Sequence, residues 1–245
     1  MAIYKNTPPI VTNGLVLALD AANPKSYVSG STTWRDLSGN NNSGSFVSNP
    51  GYSVPTYSSA NNGTISFDGS TSNGRIMIPR TYPGSLSITS NITMQAWVNY
   101  KDTGYTSWMI VIDDMGSAPF TSWCMWLNND VPAGGKTIAT YDNGNWLYST
   151  TRLFPNVWNH IAISKTGTAA DMYVNGRYSN TVTFTALVGG IYTPETTTGT
   201  GIGGHTDNNA YPFNGNISQV QVHNRGLSAR EVLQNYNATK GRFGL

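Results

Sequence analysis

Apolar and polar residues alternate in residues 93–100. The even-numbered positions carry the apolar side chains Met94, Ala96, Val98 and Tyr100. Successive side chains of a strand point to opposite faces, so this spacing predicts a strand with one face in a core. The other face carries Gln95, Trp97 and Asn99, and we expect it to be wet or covered.

Residues 216–223 alternate in the same way near the end of the chain. One face has Ile217, Gln219, Gln221 and His223, and the other has Ser218, Val220 and Val222. The segment predicts a second long strand.

Shorter apolar or alternating segments predict further strands. They lie at residues 15–19, 64–67, 75–78, 108–112, 122–127, 137–141, 146–148, 158–164, 171–174 and 177–179. Asn143-Gly144 and Asn175-Gly176 each separate two of these segments and are typical of two-residue hairpin turns. Residues 36–44 predict a polar loop, and residues 186–212, rich in Gly and Thr, predict long loops with one short strand.

One segment near the end of the chain predicts a helix. Ser228 and Glu231 have the spacing of a capping box, in which each side chain bonds the other's backbone amide. Val232, Leu233 and Tyr236 follow as an apolar stripe, and Gly241 is expected to end the helix.

Composition supports an all-β protein and excludes some partners. The 245 residues include 26 Gly and 14 Tyr, and only 11% are charged. The net charge is +2 and no basic run exceeds two residues, so we do not expect nucleic acid as a partner. No run approaches the ~20 apolar residues of a membrane span, so we do not expect a membrane either. No apolar stretch near the start predicts a signal peptide. We expect one domain at residues 14–245, preceded by an extended arm at residues 1–13.

Four segments, taken in order, resemble laminin G-like, concanavalin A-like domains. They are residues 67–69 (FDG), 94–98 (MQAWV), 158–164 (WNHIAIS) with 172–176 (MYVNG), and 213–217 (FNGNI) with 227–231 (LSARE). Residues 14–24, 34–40 and 235–244 further resemble laminin G-like domains in structural proteins of tailed bacteriophages. The resemblance implies a jelly-roll sandwich of two antiparallel sheets.

The bacteriophage resemblance also implies a function. The expected role is a non-enzymatic virion protein, either a capsid decoration or an external fibre component. It would be made in the host cytoplasm and lie on the virion exterior, with capsid or tail proteins as partners, as a homo-oligomer. The alternative is a lectin-like module that binds carbohydrate for host attachment, and the two roles are compatible.

The acidic residues do not predict a glycoside hydrolase. Retaining glucanases need two carboxylates about 5–5.5 Å apart, which alternate strand positions provide. Here Glu195 lies in a Thr-rich segment, Glu231 lies in the capping box, and the adjacent Asp113 and Asp114 point apart on a strand. No Ser occupies a Gly-x-Ser-x-Gly elbow, which argues against a Ser-His-Asp hydrolase.

Calcium is the candidate cofactor, because many proteins of this fold bind it structurally. Its ligands are carboxylate, amide and carbonyl oxygens, and Asp68 and Asp207 lie in segments rich in these groups. The alternative is turn chemistry, in which Asp and Asn side chains bond their own backbone.

Two further sets of residues are candidates for binding. Aromatic rings stack on sugars and amides fix the hydroxyls, and such residues cluster at one hairpin: Tyr141, Asp142, Asn143, Asn145, Trp146 and Tyr148. The alternative for these rings is a place in the core or a subunit contact. In the arm, Ile3, Tyr4, Pro8, Pro9 and Ile10 are suited to lying along a neighbouring protein, and the alternative is disorder.

Single residues of reactive type have structural interpretations. His160 is expected to be a bonded structural histidine and His223 to be a surface residue. His205 is expected to lie in a solvated loop, and the alternative is a loop that borders a binding site. Cys124 is expected to act as a small core hydrophobe, because no basic residue adjoins it.

Overall fold

A computed structural model gives the structure of the protein. It describes residues 8–48, 53–70, 74–79, 83–101, 108–114, 122–128, 135–185, 187, 199–205 and 211–245. Within these ranges the chain forms two antiparallel sheets and one α-helix. None of the helical segments described is long and apolar enough to cross a membrane.

The strands are numbered in chain order. They are β1 Leu15–Asp20, β2 Thr33–Trp34, β3 Gly44–Val47, β4 Thr56–Ser58, β5 Thr64–Asp68, β6 Arg75–Pro79, β7 Ile92–Tyr100, β8 Met109–Asp113, β9 Cys124–Leu127, β10 Ile138–Asp142, β11 Asn145–Tyr148, β12 Asn159–Thr166, β13 Ala169–Val174, β14 Arg177–Thr183, β15 Gly199–Ile202 and β16 Asn214–His223. Helix α1 is Ala229–Thr239 and continues into a 3-10 turn at Lys240–Phe243. Another 3-10 turn is Ala60–Asn62.

The strands divide between two sheets that each mix early and late parts of the chain. The first sheet has the order β14-β13-β12-β7-β16-β5-β4, with β1 also paired to β16. The second sheet has the order β11-β10-β9-β8-β15-β6-β3-β2. Such crossed antiparallel order is that of a jelly roll, which confirms the predicted fold class.

The inner faces of the two sheets form one hydrophobic core. Met94 and Val98 enter it from the first sheet, and Ile112 and Met125 enter it from the second. All four are buried, and burying a side chain of this size stabilises the fold by about 1.5–3 kcal/mol. The predicted core face of residues 93–100 is therefore confirmed.

A β-bulge interrupts the alternation of β16. The register against β7 shifts between Ile217 and Gln219, so Ser218 is the extra residue. Ile217 consequently lies in the same core as Val220 and Val222. The prediction that Ile217 shares a face with Gln219 was wrong, because a bulge inverts the facing of all residues on one side of it.

Both Asn-Gly pairs form the hairpin turns that the sequence predicted. Asn143 and Gly144 have φ values of 45° and 94°, and Asn175 and Gly176 have 50° and 72°. A type I′ turn needs positive φ at both central residues, which Asn and Gly tolerate best.

Helix α1 starts at the predicted capping box. The Ser228 side chain accepts from the Glu231 amide, and the Glu231 carboxylate accepts from the Ser228 amide. Glu231 also binds the guanidinium of Arg225. The helix ends at Thr239 and gives way to the 3-10 turn, so the predicted end at Gly241 lies inside that turn.

The helix covers the outer face of the first sheet. The Trp97 indole donates to the Thr239 hydroxyl at 2.8 Å. Its ring stacks on Tyr236 and on Phe243, with centroids 5.6 and 4.2 Å away. The second face of β7 is therefore covered rather than wet.

Strands β2, β3 and β4 were not predicted from the sequence. They contain two to four residues each, and several of these are polar. Segments this short carry little periodicity, and they become strands because β3 pairs with β6 and β4 pairs with β5.

Candidate functional site

The outer face of the second sheet carries a cluster of aromatic side chains, here called the aromatic face. Its members come from β9 to β11 and from the segments just before β8 and β16: Trp108, Trp126, Tyr141, Trp146, Tyr148 and Tyr211. Beneath the rings lie the small or apolar side chains of Ile110, Cys124 and Ala139. The cluster is separate from the core between the sheets.

Strand alternation directs these rings outward. In β10, Ile138 belongs to the inner core and Ala139 to the outer cluster. Tyr141 follows two residues after Ala139 and therefore shares its face. On the neighbouring strand β11, Trp146 lies directly opposite Tyr141, and Tyr148 lies opposite Ala139.

The rings form one continuous surface. Trp146 packs against Trp108 at 4.3 Å, against Trp126 at 4.9 Å and against Tyr141 at 5.2 Å between centroids. Trp126 also contacts Tyr211 at 5.1 Å. Trp126 is only 3% exposed, whereas Tyr148 is 37% and Tyr211 41% exposed. Trp126 is thus the floor of the surface, and the tyrosines form its accessible rim.

Of the hairpin residues predicted to bind sugar, the aromatic ones lie together on the outer face and the polar ones do not. Tyr141, Trp146 and Tyr148 come together on the aromatic face. Asp142 is buried instead, and its carboxylate accepts from the amide and the hydroxyl of Thr185 at 2.9 and 3.0 Å. Asn143 is exposed in the turn.

Asn145 is exposed and lies opposite Asp142 in the register of the hairpin. It therefore shares the face of Asp142 and points away from Trp146. The rings of the predicted group meet, while its polar members lie elsewhere.

Three members of the aromatic face were missed by the sequence analysis. All three are distant from the hairpin in sequence. Trp108 and Trp126 reach it through the pairing of β8, β9 and β10, and Tyr211 lies beside β8, where its carbonyl accepts from the Ile110 amide. A usable signal existed in residues 124–127, where Met125 and Leu127 alternate with Trp126 and belong to the inner core.

A polar pair borders the aromatic face. Asp113 Oδ2 lies 3.4 Å from His205 Nε2, and both side chains are buried. The His205 ring meets Trp126 edge-on at 6.5 Å. His205 therefore lies at the edge of the site and is not a solvated loop residue, because it is buried against Asp113 and Trp126.

Cys124 is buried below the rings. Burial, and secondarily the negative charge of Asp113, raise the pKa of the Cys124 thiol above its ordinary value. The thiol is thus kept protonated and apolar, in agreement with its predicted structural role.

The candidate catalytic carboxylates have separate structural partners. Asp114 accepts from Ser122 Oγ at 2.7 Å and from Thr200 Oγ1 at 2.6 Å, while Asp113 faces His205. The Arg225 guanidinium lowers the pKa of Glu231 to about 2, with help from Ser228. Glu195 lies outside the described residues.

The Asp68 carboxylate accepts hydrogen bonds within its own turn. Asp68 Oδ1 accepts from the amide and the hydroxyl of Ser70, which is the turn chemistry expected of Asp in a loop. In the part of the chain that the structure describes, no group of three or more His, Cys, Asp or Glu side chains could hold a metal ion. Asp207 lies outside that part.

The described end of the arm lies along the same chain. The Val11 amide donates to Asn235 Oδ1 and the Gln234 side chain donates to the Pro9 carbonyl, both at 2.7 Å. Pro8 and Pro9 are exposed and Ile10 is half-buried. Ile3 and Tyr4 lie outside the described residues.

The two remaining histidines are buried on the first sheet. Burial lowers the pKa of His160 to about 3, so the imidazole is neutral beside Trp97 and Tyr236. His223 is buried as well, and its Nε2 lies 3.1 Å from the Val11 carbonyl. The expectation that His223 is a surface residue was wrong, because the arm covers it.

Solved structures share this fold at low sequence identity. The binding domain of Paraclostridial Mosquitocidal Protein 1 is 17% identical, with a TM-score of 0.64 over 93% of this chain and 52% of that chain. Domain 4 of AbnA, a GH43 extracellular arabinanase from Geobacillus stearothermophilus in complex with arabinotriose, is 16% identical, with a TM-score of 0.61 over 91% and 98%. Trypanosoma rangeli sialidase in complex with sialic acid is 15% identical, with a TM-score of 0.62 over 94% and 33%.

This chain therefore spans about half the length of the mosquitocidal chain and a third of the sialidase chain. At such identities the likeness concerns the fold alone. No curated protein matches the sequence. The family profile described as the concanavalin A-like lectin/glucanases superfamily matches residues 68–233. This match covers well over half of the chain and agrees with the two-sheet architecture, and the protein therefore belongs to the concanavalin A-like lectin/glucanases superfamily.

Proposed function

We propose that the domain is a non-catalytic carbohydrate-binding module whose ligand lies on the aromatic face. The observation that carries the proposal is the contrast between the two sheets. On the first sheet, helix α1 covers Trp97, and the exposed Tyr178 packs on Tyr173 alongside. On the second sheet, six rings contact one another and keep exposed edges at Tyr148 and Tyr211. A contiguous exposed apolar patch marks an interaction site in many proteins.

The chemistry of the rings favours a sugar. The C–H groups on one side of a sugar ring form an apolar patch that packs on an indole or phenol ring, and tyrosine hydroxyls at the rim remain able to bond sugar hydroxyls. The mutual packing of Trp108, Trp126 and Trp146 holds the rings in place before a ligand arrives. Such preorganisation lowers the entropy that binding costs.

Structural neighbours offer further support. The AbnA domain was solved with arabinotriose and the sialidase with sialic acid. Members of the fold thus include proteins seen with saccharides bound, and we carry only that general ligand class over to this chain.

The proposal excludes catalysis because the described carboxylates near the face are committed elsewhere. Asp113 pairs with His205, Asp114 binds two hydroxyls, and Asp142 binds Thr185. Most glycoside hydrolases cleave the bond between one carboxyl group on each side of it.

Glycan-array binding tests the module. We expect Tyr148→Ala to weaken binding by about tenfold, as loss of one stacking contact does. Trp146→Ala should abolish detectable binding, since Trp146 touches three other rings. Phe154→Ala is the matched control, because Phe154 is 64% exposed and belongs to no described ring cluster. A folded wild-type protein that binds no glycan contradicts the proposal.

A second role, as a bacteriophage virion component, is compatible with the first. The opening and closing segments that resemble phage structural proteins, residues 14–24 and 235–244, meet in the fold, where Arg242 forms an ion pair with Asp20 at 2.9 Å. Segments distant in sequence thus act as one structural unit. Mass spectrometry of purified phage particles tests this role, and absence of the chain from the particles contradicts it.

A further inference from the structure

We infer that Asn143 is a site of spontaneous deamidation, at which the side-chain amide of the folded protein becomes an aspartyl or isoaspartyl carboxylate. An asparagine followed by glycine is the sequence in which this reaction occurs most readily. The chain contains six Asn-Gly pairs, which begin at residues 13, 62, 73, 143, 175 and 214. The hydrogen bonds and packing around these pairs favour Asn143, and this chemistry does not depend on what the aromatic face binds.

The reaction uses the side chain of Asn143, the backbone amide of Gly144 and water. The Gly144 nitrogen attacks Cγ of Asn143, the new N–Cγ bond closes a succinimide ring, and Nδ2 leaves as ammonia with the proton that the glycine amide loses. Water then opens the ring. Breaking the N–Cγ bond gives aspartate, and breaking the bond from the nitrogen to the main-chain carbonyl carbon gives isoaspartate. Glycine favours ring closure because no Cβ shields its nitrogen or restricts its backbone.

Asn143 and Gly144 have the freedom that ring closure needs. Both residues are exposed in the turn between β10 and β11. Among the described residues, no hydrogen bond holds the Asn143 side chain or the Gly144 amide. A Cβ placed on Gly144 would have no atom within 4 Å. The peptide plane between the two residues can therefore rotate without meeting a neighbour.

The other Asn-Gly hairpin turn is held in place by its neighbours. The Asn175 side-chain oxygen accepts from the His160 amide at 2.8 Å, and the Asn175 amide donates to the His160 carbonyl at 2.7 Å. A Cβ on Gly176 would lie 2.8 Å from the Tyr236 ring of α1. Ring closure at Asn175 therefore requires the loss of a hydrogen bond and movement against the helix.

The glycines of the remaining four pairs are also enclosed. At each of them a Cβ would lie less than 3.0 Å from a neighbouring oxygen atom: 2.9 Å at Gly14, 2.3 Å at Gly63, 2.8 Å at Gly74 and 2.2 Å at Gly215. Asn13 is exposed like Asn143, but its carbonyl accepts from Arg225 Nε at 2.9 Å. Of the six glycines, all of which the structure describes, only Gly144 has open space around it.

The isoaspartyl product changes the length of the turn. Isoaspartate carries the chain through Cβ and Cγ, so the turn gains one backbone atom, whereas a type I′ turn joins its strands with two ordinary residues. The first pair beside the turn is Asp142 with Asn145, and the next is Tyr141 with Trp146. We expect the isoaspartyl form to disturb the packing of these two rings and the aspartyl form, with its ordinary backbone, to preserve it.

Peptide mapping by mass spectrometry tests the inference on the folded full chain after incubation in mildly alkaline buffer. Trypsin places Asn143 in peptide 137–152 and Asn175 in peptide 166–177, so one digest compares the two turns. We expect Asn143 to deamidate at least about tenfold faster than Asn175, which corresponds to a barrier difference of about 1.4 kcal/mol. In the chain unfolded in urea, where packing and hydrogen bonds are lost, the two rates should converge.

Equal rates at the two turns of the folded chain, or faster deamidation at any other Asn-Gly pair, overturn the inference. A difference that persists in urea also overturns it, because the preference then comes from the adjoining sequence and not from the fold.

Asn143→Asp is the matched control for the effect on the rings, because it has the charge of the product and an unaltered backbone. The near-UV circular dichroism of the aromatic side chains should be kept in Asn143→Asp and reduced in chains enriched in isoaspartate. Unchanged dichroism in the isoaspartyl chains overturns the expected disturbance of Tyr141 and Trp146.

Discussion

The carboxylate of Glu231 is expected to make folding stability depend on pH below pH 4.5. It caps α1 through Ser228 and accepts two hydrogen bonds from the Arg225 guanidinium. These interactions lower the pKa of Glu231 from 4.5 to about 2. A carboxyl with a lowered pKa in the folded state stabilises that state above its unfolded pKa, and the contribution disappears as pH falls through the folded value.

The magnitude follows from the size of this difference. Each pKa unit corresponds to about 1.4 kcal/mol, so the full difference corresponds to about 3 kcal/mol. The Glu231 side chain is 29% exposed, and solvent screening reduces this figure. We therefore expect Glu231 to contribute about 1–2 kcal/mol at neutral pH.

The assay is urea denaturation at several pH values for the wild type and Glu231→Gln. The variant should be less stable by about 1–2 kcal/mol at pH 7, and the gap should narrow steadily as pH falls from 4.5 to 2. Other carboxyls titrate in both proteins and cancel in the difference. A gap that stays constant over this interval refutes the assigned role of the ion pair and the cap.

Three further changes test the packing. Trp126→Ala removes the floor of the aromatic face and should lower the free energy of unfolding by about 3–5 kcal/mol, whereas Phe154→Ala should change it by less than about 0.5 kcal/mol in the same denaturation assay. Gln95→Met should raise the free energy of unfolding by about 1 kcal/mol, because Nε2 and Oε1 of Gln95 are buried without a hydrogen-bond partner. A lower free energy of unfolding in this variant contradicts the prediction. Gly176→Ala should lower the free energy of unfolding by about 1–2 kcal/mol, since Gly176 has φ +72° and a Cβ there would lie 2.8 Å from the Tyr236 ring. An unchanged melting temperature contradicts this prediction.

Local features of the sequence predicted the parts of the fold that depend on neighbouring residues. The alternation of residues 93–100, the Asn143-Gly144 and Asn175-Gly176 turns and the Ser228 capping box all appear in the structure. Each is determined by side chains within a few residues of one another, so a short window of sequence contains the necessary information.

Features that depend on register could not be predicted in this way. The bulge at Ser218 exists because β16 must match β7, and Ser218 then donates to the carbonyl of Gly63, which is distant in sequence. The aromatic face likewise needs the pairing of β8, β9, β10 and β11 before Trp108 and Trp126 reach Trp146. A hairpin viewed alone predicted Asp142 and Asn145 as partners of the rings, although strand alternation turns both away.

The location of residues 8–13 and of the segment from α1 to Phe243 has a consequence for how the domain can be presented. The arm at residues 8–13 and the segment from α1 to Phe243 both lie on the outer side of the first sheet. The aromatic rings lie on the opposite side of the sandwich, beyond two sheets packed about 10 Å apart. Tethering the domain through either end, to a sensor chip, a fused protein or a particle, would orient the rings outward, away from the tether and toward the surrounding solution.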